Sequence, residues 1–269
     1  MSFLGGVASL PPNNAVSLWD LEETTNKTYL EGYGTVFEAP VVGIQQGILA
    51  FWIKVSSLVS SSAVVNFLDT YQNASDSRGF RVWYQAGNIN LNWTDTSGSS
   101  LCYLSQSIGG ASFNNDLWQH FAISYTPIGG GTGRMQIARF DGYDQYFFST
   151  TSTINAGTPF GRYYLNINKG LGGEPTADPA LVEFADIYHD INPFDLSELT
   201  NRRKFITADN KKVNLGLRGQ RVRGDIPDLF FSGSYGSWLK NKGSLLLSNN
   251  NLLTPYNSDY FIKSPTKPT

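Results

Sequence analysis

The chain has a single cysteine, Cys102, among 269 residues. A lone thiol excludes an internal disulfide framework and any multi-cysteine metal site. Charge is scarce too: Asp, Glu, Lys and Arg make up 16% of the residues, against about 25% in an ordinary soluble domain. A helical bundle would need far more Glu, Lys, Ala and Leu than this. The formal net charge is −2, so no global basic field is present to hold nucleic acid. No stretch approaches about 18 continuous apolar residues, and no membrane insertion is expected. The opening Met1-Ser2-Phe3-Leu4-Gly5-Gly6 has neither a basic n-region nor a sustained apolar run, so no signal peptide is expected. The Asn-x-Ser/Thr triplets at Asn26, Asn73 and Asn92 then read as chance in an Asn/Ser/Thr-rich chain.

What the chain does have is turns and rings: 27 Gly, 17 Phe, 14 Tyr and 6 Trp. The aromatics can build a large core, which argues against disorder. Short strands joined by many turns fit this mix. Residues 48–55 form a continuous apolar run ending in Ser-rich sequence, as a buried sheet strand does. Further strand-like runs cover 63–68, 79–85, 89–94, 101–108, 118–125, 134–140, 143–149, 163–168, 181–188 and 229–231, with 245–247 as a last candidate. Pro127 and the glycines at 129–133 mark a loop. Strands recurring every 10–20 residues with turn signals between them predict an all-β, two-sheet antiparallel sandwich.

One pair of strands can be given faces. Gly87-Asn88 between two β-type runs reads as a tight hairpin, with Gln85 opposite Asn90 and Trp83 opposite Asn92. Alternation across the pleat then puts Phe80, Val82, Tyr84, Leu91 and Trp93 on a core face. The other face holds Arg81, Trp83, Gln85, Asn90, Asn92 and Thr94. A ring that can stack on a pyranose, surrounded by amides and a guanidinium, is the chemistry of sugar binding. The alternative is a plain solvent-facing or neighbour-covered sheet surface.

Residues 1–15 read as an N-terminal arm, 16–247 as the sandwich and 248–269 as a C-terminal arm. One helix is expected near 195–206, with Asp195 at its start and Arg202, Arg203 and Lys204 near its end. Eight of the 20 Lys and Arg residues fall within 202–223. With no aromatic interleaving or recognition motif, this cluster reads as a patch that meets an acidic neighbouring subunit rather than nucleic acid. Arg218, Arg221 and Arg223 are its candidate contacts, and Tyr256, Tyr260 and Phe261 those of the C-terminal arm.

The stretch from Trp118 resembles the laminin-G-like, concanavalin-type jelly-roll superfamily. The residues are Trp118-Gln119-His120, the Gly129–Gly133 loop, Phe140-Asp141-Gly142, and Glu183-Phe184-Ala185-Asp186-Ile187-Tyr188 followed by Leu196-Ser197-Glu198-Leu199. The C-terminal part, from Asp195-Leu196-Ser197 and Asn201-Arg202-Arg203-Lys204-Phe205-Ile206 to Val213-Asn214-Leu215-Gly216, is similar to proteins of tailed-bacteriophage and prophage genomes. So are Pro227, Phe231-Ser232-Gly233, Trp238 and Asn241-Lys242-Gly243. The resemblance implies a non-enzymatic virion structural protein whose partners are other virion proteins and copies of itself. Its alternative is a module that binds a host surface glycan.

Glycoside hydrolases on such a sandwich need two carboxylates flanking the scissile bond. None of the seven Glu residues lies in a Glu-x-Asp-x-x-Glu arrangement, and the spacing of Glu183 and Asp186 predicts opposite faces of a strand. The two histidines, His120 and His189, read as structural, and Cys102 as a buried thiol. No cofactor is expected. Calcium is the one metal the resemblance allows, since relatives bind it at the sandwich rim. The candidate oxygens here are Asp141, Asp144, Asp178 and Asp186, with turn-capping Asp as the plainer reading.

Overall fold

The computed structural model describes residues 25–26, 30–38, 46–69, 79–95, 97–109, 113, 115–156, 162–167, 182–232, 241–244, 254–255 and 261–262. For 25–26, 30–38, 69, 162–167, 254–255 and 261–262 only the backbone is described. The expected N-terminal arm, the 245–247 strand and most of the C-terminal arm lie outside these residues.

Among the described residues, fifteen strands form two antiparallel sheets stacked as a sandwich. They are β1 (Thr25–Asn26), β2 (Leu30–Glu38), β3 (Gly47–Val55), β4 (Val65–Asp69), β5 (Phe80–Gln85), β6 (Asn88–Thr94), β7 (Ser100–Ser107) and β8 (Trp118–Pro127). There follow β9 (Thr132–Phe140), β10 (Gln145–Thr153), β11 (Arg162–Ile167), β12 (Val182–Asp190), β13 (Leu229–Phe231), β14 (Thr254–Pro255) and β15 (Phe261–Ile262). One sheet runs β10-β9-β8-β3-β12-β1-β15, with β13 also on β12; the other runs β14-β2-β11-β4-β5-β6-β7. The all-β expectation therefore holds. Part of the C-terminal segment lies along its own sandwich, because β14 pairs with β2 and β15 with β1.

Alternation along β3 shows why its sequence is apolar throughout. Leu49, Phe51, Ile53 and Val55 point into the core between the sheets. Ile48, Ala50 and Trp52 point the other way and are equally buried, as expected of a strand covered on both faces. In the main core Phe51, Phe67 and Phe121 pack with ring centroids 4.7–5.8 Å apart. Tyr84 stacks on Phe113 at 3.7 Å.

The cover on the outer side of the eight-stranded sheet is the irregular segment 191–232. Phe194, Leu196, Phe205, Leu215, Val222 and Phe230 seat against Ile48, Ala50, Ala122 and Tyr188. Fully burying side chains of this size is worth roughly 1.5–3 kcal/mol each. That packing also explains the helix. The sequence predicts one near 195–206, but α1 spans only Leu199–Arg202. The apolar residues on either side of it turn toward the sheet instead of continuing a helical stripe, and Ile206 bridges to Lys212.

Ion pairs anchor the fully buried strand β12 on that same side. Glu183 pairs with Lys54 at 2.6 Å, Asp186 with Lys212 at 2.7 Å and Asp190 with Arg223 at 3.6 Å. The expectation that Glu183 and Asp186 occupy opposite faces is corrected. The register shifts between Ala185 and Tyr188, and Asp186 takes a positive φ of 47°. The extra residue of that bulge turns Asp186 to the covered outer face that Glu183 also occupies.

Candidate functional site

The β5–β6 hairpin turns at Ala86-Gly87, with φ of 49° and 84°. A two-residue hairpin link with both central φ positive matches the right-handed twist of the strands, and Gly87 adopts such a value freely. The strands close on Gln85 and Asn88, with Trp83 opposite Asn90 and Arg81 opposite Asn92. This corrects the Gly87-Asn88 link and its register by two residues. An even slip leaves every side chain on its face, so Phe80, Val82, Tyr84, Leu91 and Trp93 are all buried in the core as expected.

On the outward face of this sheet Trp83 is half-buried, with the Arg81 guanidinium 4.7 Å from its ring. Arg81 Nε donates to Asn66 Oδ1 at 2.8 Å, and Trp83 Nε1 donates to Gln85 Oε1 at 3.4 Å. The next strand, β7, contributes Tyr103, whose ring lies 6.1 Å from that of Trp83 at 50°. Tyr103 and Ser105 both donate to Asn90 Oδ1 at 2.8 Å. Ser100 donates to Asn92 Oδ1 at 2.7 Å.

The six residues expected from sequence therefore divide. Arg81, Asn90 and Thr94 are 5%, 4% and 3% exposed. They support the face from beneath, and Thr94 Oγ1 is bonded to both backbone groups of Gly79. Trp83, Gln85 and Asn92 reach the surface, joined by Tyr103 at 49% exposure and by Ser100 and Ser105. The signal for the missed residues was the alternation in Ser100–Ser107, which sends Tyr103 and Ser105 outward beside Asn92 and Asn90.

Of the other described candidates, Asp141 and Asp144 share one turn and Asp186 sits on β12. Asp141 Oδ1 accepts from the backbone N–H groups of Tyr143 and Asp144 at 3.0 Å, an ordinary Asx-turn. Asp186 is held by Lys212, and Asp178 lies outside the described residues. Among the described residues no cluster of three or more His, Cys, Asp or Glu is placed to hold a metal ion. Of the basic segment, Arg218 and Arg221 are exposed, and Arg218 Nε donates to Lys242 O at 3.1 Å. Arg223 is bound within its own chain: its guanidinium lies 3.6 Å from the Phe194 ring and donates to Pro193 O at 2.9 Å. Tyr256 and Tyr260 lie outside the described residues, and Phe261 is described only as backbone of β15.

Burial holds both imidazoles and the single thiol in their uncharged forms. It pulls the His120 imidazole down to about 3, against the opposing pull of Asp186. It pulls His189 down to about 4, against Asp190, while the Tyr125 hydroxyl sits 2.8 Å from His189 Nε2. Burial pushes the Cys102 thiol up to about 11. Neutral, enclosed imidazoles and a protonated thiol suit packing rather than proton transfer to a substrate. No helix among the described residues is long and apolar enough to cross a membrane.

No family model matches the sequence, and no curated protein matches it. Solved structures with a related arrangement include the botulinum neurotoxin type G receptor binding domain, at 12% identity and TM-score 0.38, over 60% of this chain and 38% of that one. Another is the binding domain of botulinum neurotoxin DC in complex with rat synaptotagmin II, at 13% identity and TM-score 0.39, over 56% and 33%. A third is the same toxin's binding domain in complex with SialylT, at 12% identity and TM-score 0.40, over 62% and 39%. The chain thus spans little more than a third of the length of these domains.

Proposed function

We propose that this protein is a non-catalytic carbohydrate-binding sandwich that holds a sugar on the outward face of β5, β6 and β7. The observation that carries this reading is the Trp83–Tyr103 ring pair, 6.1 Å apart and tilted by 50°, set among tied polar side chains. Rings offer an apolar platform for the C–H face of a pyranose, and the surrounding amides and hydroxyls meet its hydroxyl groups. Fixing Gln85, Asn90 and Asn92 by internal hydrogen bonds before binding lowers the ordering cost of recognition. The buried neutral histidines and the cation-paired carboxylates of β12 support a binding role over catalysis. The test is a glycan array probed with the wild-type chain and with Trp83→Ala. Binding that the substitution abolishes supports the reading; an array with no wild-type signal overturns it.

A second reading is a structural subunit of a tailed-phage virion, made in the host cytoplasm and assembled with other virion proteins. It rests on the sequence resemblance of residues 195–243 to phage proteins. It is favoured by the exposed Tyr143, Tyr146, Phe147 and Leu199, large apolar side chains of the kind that mark interaction surfaces. The two readings are compatible in a head or tail appendage. Cross-linking of intact particles tests this one, and a particle lacking the chain overturns it.

A further inference from the structure

The edge of the eight-stranded sheet is formed by β10, a nine-residue strand. Among the described residues it pairs only with β9. Its sequence, Gln-Tyr-Phe-Phe-Ser-Thr-Thr-Ser-Thr, contains no Lys, Arg, Asp, Glu or Pro. Natural proteins protect a long edge with charge, proline, a bulge, shortness or a covering element. β10 lacks the first four, since its ladder to β9 runs without a register shift over all nine residues, and the neighbouring edge strand β7 lies close to it without pairing with it. The other edges differ. Strands β14 and β15 are two residues long, and the start of β7 is capped by Asn155, which donates to Leu101 O and Ser100 O.

Exposed aromatic side chains stand on and next to β10. Tyr143, Tyr146 and Phe147 are 71%, 40% and 37% exposed, with Tyr146 stacked on Phe148 on one face of the strand and Phe147 on the other. Exposed Leu199 lies one helical turn before Arg202, whose guanidinium is 5.5 Å from the Phe147 ring. We infer that β10 is the seam of a two-fold homodimer, pairing antiparallel with β10 of a second copy to make one continuous sheet of both chains.

Three observations select a second copy as the occupant. An uncharged strand meets its own copy without the like-charge repulsion that would oppose self-pairing. Full antiparallel overlap sets Ser149 against Ser149, Phe147 against Thr151 and Phe148 against Thr150. The last two are aromatic–β-branched pairs of the type that stabilises a ladder. Nine residues at about 3.4 Å each span about 30 Å, the width of a standard interface of about 800 Å² per partner.

The test is sedimentation equilibrium of the full chain. The wild type is expected to be a dimer at about 10 μM. Ser149 is exposed in the single chain, so Ser149→Lys should fold normally while placing two cations at the two-fold axis and weakening association about tenfold or more. Mixing the Ser149→Lys chain with a Ser149→Glu chain should restore the dimer. Independently of any variant, hydrogen exchange at the β10 amides should slow as wild-type concentration rises. A wild type that stays monomeric at about 100 μM, or a dimer indifferent to Ser149→Lys, overturns the inference.

Discussion

The hydroxyl of Tyr103 on β7 donates to the amide oxygen of Asn90 on β6 at 2.8 Å. Asn90 in turn lies directly opposite Trp83 in the β5–β6 ladder. That amide tethers the Tyr103 ring beside Trp83, whose own indole N–H is held by Gln85 Oε1. Tyr103→Phe should keep the ring and lose the tether. For a glycan identified on the array, affinity is expected to fall about fivefold, consistent with one hydrogen bond of about 1 kcal/mol. Calorimetric titration measures it. The melting temperature should stay within about 2 °C of wild type, because Tyr103 is half exposed.

At the hairpin turn, Ala86 holds a φ of 49° that a residue with a Cβ adopts at a cost of about 1 kcal/mol. Asn is the favoured residue at the first position of such a turn when Gly follows. Ala86→Asn should therefore stabilise the protein by about 0.5–1 kcal/mol, a rise of about 2 °C in melting temperature. Because Ala86 is exposed, glycan binding should not change. A melting temperature below that of wild type contradicts the turn assignment.

Sequence alone resolved some of this site and not the rest, for identifiable reasons. The faces of β5 and β6 were legible because a period of two survives a two-residue slip; the turn was not, since Ala86-Gly87 and Gly87-Asn88 both offer a glycine. Tyr103 and Ser105 were missed because their place beside Asn90 depends on the β6–β7 pairing, which no local pattern specified. Within the basic segment the intrachain role of Lys212 was not legible, because Lys212 and Asp186 are far apart in sequence. Only the packing of 191–232 against the sheet brings them together. Likewise, a one-residue bulge at Asp186 is invisible to strict alternation.

The Lys212–Asp186 pair is nearly enclosed, with side chains 14% and 7% exposed. Removing one partner of such a pair leaves a buried charge uncompensated. Lys212→Ala is expected to cost about 2–4 kcal/mol, read as a lower urea midpoint at unchanged slope. Because 191–232 covers the outer side of the other sheet, the Trp83 face should keep its ligand affinity in the variant while it remains folded. An unchanged midpoint contradicts the anchoring role of this pair.

Both histidines have folded-state values below the ordinary 6.5, near 3 for His120 and near 4 for His189. Between those values and about 6.5 the unfolded chain binds protons that the folded chain refuses. Their stabilisation is therefore complete above about pH 6.5 and is lost as pH falls toward 4 and then 3, by at most about 1.4 kcal/mol per pH unit for each histidine. Asp228, raised chiefly by burial, works in the opposite direction, since its folded carboxyl takes up a proton before the unfolded one does. Urea midpoints from pH 7 to 4 should fall, and His189→Gln should flatten the slope. A midpoint independent of pH in this range contradicts the buried, neutral histidines.

Chemical-shift mapping of the side-chain amides with an array-identified oligosaccharide tests the proposed platform most directly. The account predicts that the signals of Gln85 and Asn92 and the indole N–H of Trp83 move on titration and saturate together. Shifts confined to the 129–133 loop or to the 202–223 segment, with these three signals unmoved, would contradict it.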